Sequence, residues 1–61
     1  MTLKVTEVLT PDGMNRVYTA TVVRGARKGE VVTAKVINAG QGFGQFLAKC
    51  ERHFGQKCYL A

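Results

Sequence analysis

The stretch Asn38–Gly55, NAGQGFGQFLAKCERHFG, decides the fold. At about 100° per residue from Phe43, the side chains of Phe43, Phe46, Leu47, Cys50 and Phe54 fall in one narrow arc. Gln45, Ala48, Lys49 and Arg52 lie opposite, with His53 on the border. This is a helix with one face to bury. No other segment repeats with a helical period of this quality, so the helix predicts a lid, and the wall beneath it must come from strands. Gly55 stands where a left-handed residue would stop the helix.

The residues before the helix supply that wall. TLKVTEVL, residues 2–9, alternates in the strand manner, with Leu3, Val5 and Leu9 on one face and Lys4 and Thr6 on the other. Glu7 falls on the apolar parity, as a bulge, an edge position or a partnered carboxylate would require. Thr10-Pro11-Asp12-Gly13-Met14-Asn15 predicts a tight hairpin turn, because Pro presets φ, Asp suits the next position and Gly tolerates positive φ.

RVYTATVVR, Arg16–Arg24, predicts a second strand, with Tyr18, Ala20 and Val22 on one face and Val17, Thr19, Thr21 and Val23 on the other. A glycine-bounded turn, Gly25–Gly29, leads to EVVTAKVI, Glu30–Ile37, the most apolar strand, which is assigned to the core. Connections this short make a three-stranded antiparallel meander. The predicted class is therefore α+β, ordered β-β-β-α, with the C-terminal helix on the face carrying Leu3, Val5, Leu9, Tyr18, Ala20, Val22, Val32, Ala34 and Val36. The tail Gln56–Ala61 is apolar enough at Tyr59 and Leu60 to dock as a short fourth strand, with Cys58 near Cys50.

Sixty-one residues predict one domain, 1–61, near the lower limit for folding without a metal or disulfide. Hydrophobic residues at 46% exclude a disordered chain. No apolar run resembles a signal peptide or spans a membrane, so the expected location is cytoplasmic, with Cys50 and Cys58 reduced. The start at Met1 reads as that of a complete small gene product. A core this small leaves little room for an active-site pocket.

The glycine-rich run Gly40-Gln41-Gly42-Phe43-Gly44 follows a strand and opens a helix, but it lacks what nucleotide loops need. Gln45 stands where the dinucleotide fingerprint has its third glycine, and no Gly-Lys-Ser/Thr follows. The chain is also read as too short for a β-α-β unit. The glycines then either bend the chain or expose unpaired N–H groups to an anion at a helix start that carries no acid.

Catalysis is not indicated. The four acids are scattered singly, there is no Ser, and the lone His53 beside Arg52 suits the negative end of a helix dipole. Cys50, His53 and Cys58 are one ligand short of a structural zinc site, so no metal and no cofactor is expected.

The informative feature is charge. Nine Lys and Arg against four Asp and Glu give a net charge of +5. A polyanion or an acidic protein surface is the partner such a chain attracts. Arg24, Arg27 and Lys28 crowd the second hairpin tip, and Lys4 and Lys35 belong to the bare sheet face. Arg16 opens the second strand, and Lys49, Arg52 and His53 form a secondary group on the helix.

The leading expectation is a non-catalytic module binding nucleic acid through that tip and face. The alternative is a protein-binding regulator or inhibitor, of the kind carried by phages and mobile elements, which blocks a larger host complex. The Thr-rich face with Val17, Val23 and Val31 would meet such a partner or a second copy, and a sheet edge offers a homodimer contact.

Overall fold

A computed structural model describes every residue, Met1–Ala61. Three strands, β1 (Thr2–Leu9), β2 (Asn15–Val22) and β3 (Val31–Ile37), precede the helix α1 (Gly42–Phe54), and a two-residue strand β4 (Tyr59–Leu60) follows it. The sheet order is β3-β2-β1-β4. The first two connections are hairpins, with Val5 opposite Ala20 and Tyr18 opposite Ala34. The fold class is α+β, and the tail strand forms.

Each turn follows from its residues. The Thr10 hydroxyl donates to Asp12 Oδ1 (2.6 Å), which also accepts the Met14 N–H (2.9 Å), and Gly13 takes a φ of 73°. These bonds hold the Asp12 carboxyl below its usual pKa, the Thr10 hydroxyl contributing most. The second hairpin closes through Gly29 N–H donating to Val22 O (2.8 Å), with Gly29 at φ 96°. The helix stops at Gly55, φ 71°, whose N–H returns to Glu51 O (2.8 Å).

The core is one cluster of Leu3, Tyr18, Ala20, Val22, Val32, Phe46, Cys50, Phe54 and Cys58. Phe46 stacks on Tyr18 with ring centroids 5.2 Å apart, and Phe43 meets the same ring edge-on at 5.7 Å. The face assignment from strand alternation therefore holds for the sheet's middle. It fails at Leu9, which is 50% exposed, because α1 lies over β2 and β3 and does not reach the distal end of β1.

Two further expectations change. The most apolar strand, β3, sits at an edge of the sheet, its inner side chains covered by the helix that leaves it. The chain also contains the β-α-β connection that its length argued against. β4 pairs parallel to β1, and β1 and β3 both run antiparallel to the β2 between them. β3 and β4 are thus parallel strands joined by α1, with two strands lying between them. Two residues of β4 suffice because Glu51 Oε2 accepts the Cys58 N–H at 3.1 Å, which aims the tail at the β1 edge.

Candidate functional site

The glycine-rich junction can be judged first. Gly42 is buried, and a Cβ there would stand 3.0 Å from the Ile37 carbonyl oxygen and 3.4 Å from Val36 Cγ2. Gly40 and Gly44 have open space around them, and none of the three has positive φ. The run is a close strand-to-helix bend with its tight point at Gly42. Gln41 precedes α1 without a side-chain cap, and the first turn holds no acid.

The acids come next, because they determine which cations remain free. Glu7, on the apolar parity of β1, accepts from Arg16 Nη1 at 3.0 Å, and Arg16 Nε donates to Asn38 Oδ1 at 2.7 Å. The charge that seemed out of place in the strand pattern is a partnered carboxylate, lying where the helix no longer covers the sheet. Arg16 is thus on the helix side, away from the bare face. Glu30 receives a fork from Arg27, Nε at 2.8 Å and Nη2 at 2.9 Å. That pairing lowers the Glu30 pKa and raises that of Arg27. Asp12 is held in its turn, and Glu51 holds the Cys58 N–H.

All four carboxylates are therefore engaged within the chain. Only Arg16 and Arg27 among the nine Lys and Arg are ion-paired, which leaves Lys4, Arg24, Lys28, Lys35, Lys49, Arg52 and Lys57 free.

Arg27 has a second duty. Its guanidinium carbon lies 4.8 Å from the centroid of the Phe54 ring, pinning the β2–β3 loop to the last turn of α1. The hairpin tip is thereby held against the helix end. Arg24 and Lys28 come from the loop, Arg52 and His53 from the last helical turn, and Lys57 from the segment after it. A cleft of about 300 Å³ runs between these segments, lined by Met1, Arg24, Gly25, Ala26, Arg27 and Gln56. Of the sequence reading's secondary group, Arg52 and His53 are exposed in the last helical turn and Lys49 is exposed before them, while Lys57, which that reading did not include, is exposed in the segment after the helix. Its position depends on the chain turning back at Gly55, which the charge pattern does not signal.

Lys4 and Lys35 are exposed on the bare face, on β1 and β3 respectively. Between them Thr6, Thr19 and Thr33 line up across three strands, and Val8 and Ile37 are more than two-thirds exposed beyond. These lysines flank the threonine row and are separate from the basic end.

No group of three or more His, Cys, Asp or Glu side chains converges. Cys50 and Cys58 are free thiols in the core, and burial pushes both pKa values up. No helix is long and apolar enough to cross a membrane. Comparison with protein families, curated proteins and solved structures finds no match for this chain.

Proposed function

We propose that this chain is a non-catalytic module that binds a polyanion, nucleic acid foremost, at its basic end. The supporting observation is the charge accounting. Every carboxylate is engaged internally while seven cations are unpaired, and among these Arg24 and Lys28 stand exposed on the loop that Arg27 packs against Phe54. A phosphate backbone rewards this arrangement, because each neutralised phosphate releases condensed counterions. Arg24 and Lys28 carry the contact from the loop, Arg52 and Lys57 extend it, and Arg27 positions the loop. Lys4 and Lys35 contribute only if the polyanion wraps onto the sheet.

The test is binding of duplex DNA and duplex RNA across a salt series, with an Arg24→Ala/Lys28→Ala variant alongside. Each lost phosphate contact reduces the slope of log affinity against log salt by about one. Absence of binding at low salt, or an unchanged slope in the folded variant, refutes the reading. Arg27→Ala is the wrong probe, since it also frees Glu30 and uncovers Phe54.

A second reading, a regulator that docks on an acidic protein, is favoured by one observation. The bare sheet face exposes Val8, Val31, Ile37 and Tyr59 beside Lys4 and Lys35. A stoichiometric protein partner that survives nuclease treatment and is lost on Ile37→Asp would support it over the first.

A further inference from the structure

The tail that follows α1 is anchored by one side chain. From Gly55 to Ala61 every residue is exposed except Cys58, which is 4% exposed and belongs to the core cluster. Tyr59 and Leu60, the whole of β4, keep more than half of their surface in solvent. The other ties are hydrogen bonds. Tyr59 N–H donates to Met1 O and Ala61 N–H to Leu3 O, both at 2.8 Å. Cys58 N–H donates to Glu51 Oε2 at 3.1 Å, and the Met1 ammonium donates to Lys57 O at 3.0 Å. β4 pairs only with Thr2 and Leu3, so β1 beyond them already has no strand on that side.

The rest of the core belongs to the meander and to α1, which buries Phe46, Cys50 and Phe54. A terminal segment with one buried side chain and hydrogen bonds at a sheet edge opens locally, at a free energy below that of global unfolding. The buried group is a thiol. Docked, its Sγ–H donates to Gln56 O at 3.7 Å, and burial above all pushes its pKa up, so it is shielded and unreactive. Undocked, it is an ordinary thiol on an exposed tail. None of the molecule's clefts reaches Cys58, and a close-packed core has no room for a substituent on its sulfur.

We propose that Gln56–Ala61 is a thiol-gated strap, which opens while the rest of the chain stays folded and is held open when a small disulfide caps Cys58. In the open state the Cys58 thiolate attacks one sulfur of that disulfide. A new S–S bond joins Cys58 to one half of the reagent, and the reagent's own S–S bond breaks. The departing thiolate takes up the proton that Cys58 released. Cys58 is oxidised, the reagent is reduced, and an excess of reducing thiol reverses the step. Capping frees Leu3 O and the Glu51 carboxylate from their partners in the tail, and it extends the open edge of β1 over the whole strand. Cys50, on the buried face of α1, is reached only when the helix lifts from the sheet, so it stays reduced.

The experiment incubates the reduced whole chain with oxidised glutathione across a urea series and follows each cysteine by peptide mass spectrometry. The expected product is a single adduct on Cys58, formed without urea at a rate that rises only weakly below the unfolding midpoint. Cys50 is capped only with global unfolding, measured by circular dichroism. In the adduct the amides of Tyr59 and Ala61 exchange at least about tenfold faster, those of β2 and α1 do not, and reductant restores the parent pattern. Glu51→Ala removes the acceptor of the Cys58 N–H and speeds capping about tenfold. In Cys58→Ser the reagent changes no amide. If Glu51→Ala fails to fold, the two capping rates and the exchange map decide. The proposal is overturned if Cys58 is capped only with global unfolding, if Cys50 is capped as fast, or if a Cys50–Cys58 disulfide forms in place of the adduct. It is equally overturned if the adduct leaves Tyr59 and Ala61 protected, or if folded Glu51→Ala is capped no faster than the parent.

Discussion

Gly42 and Gly44 differ by two residues and should respond to the same substitution with opposite signs. At Gly42 a methyl group would stand 3.0 Å from the Ile37 carbonyl oxygen, a backbone atom that cannot swing aside, and 3.4 Å from Val36 Cγ2. Gly42→Ala therefore forces the start of α1 away from the end of β3. Overpacking of this kind costs about 1–3 kcal/mol. At Gly44 nothing lies within 4 Å, φ is not positive, and the residue is helical. Gly44→Ala there adds helix propensity, about 0.5–1 kcal/mol of stabilisation.

For a domain of this size 1 kcal/mol moves Tm by about 4–8 °C, so the two variants separate by several degrees on either side of the parent. Urea unfolding followed by far-UV circular dichroism measures both, with an unchanged slope confirming that the same surface is exposed. A neutral Gly42→Ala would refute the close-approach argument. A Gly44→Ala that destabilises as much as Gly42→Ala would mean that the close approach at Gly42 is not what requires glycine in this run.

Two further outcomes follow from the core and the first turn. Phe46 is fully buried and stacked on Tyr18, so Phe46→Ala costs about 3–5 kcal/mol, comparable to the whole stability of a chain this short; Phe46→Leu retains a cooperative melt, and a fully folded Phe46→Ala would show that the helix is not the lid. Asp12 is held below its usual pKa by Thr10 first and by the Met14 N–H second, so its contribution is present above the unfolded-state pKa and lost as pH falls through the lower folded value. Acid titration of unfolding should show that loss in the parent and a reduced one in Thr10→Val, and identical acid profiles would refute the assignment.

What was legible in the sequence had local causes. Alternation in residues 2–9 and 16–24, the Pro11-Asp12-Gly13 turn and the arc from Phe43 to Phe54 depend on backbone geometry over a few residues. They yielded the meander, the helix and the face the helix covers. Composition also supplied the surplus of cations, though not which of them is free.

What the tertiary structure decided depends on register between distant residues. Glu7 reads as a flaw in a strand until the β1–β2 register brings Arg16 within 3.0 Å of it. Arg27 reads as one of three equivalent tip cations until Phe54 and Glu30 claim it. The parallel pairing of Tyr59 and Leu60 with Thr2 and Leu3 joins the two ends of the chain. No local period encodes such a pairing. It exists because α1 carries the chain across the sheet and Glu51 holds the Cys58 amide, and it is also why the β1 edge is left half open.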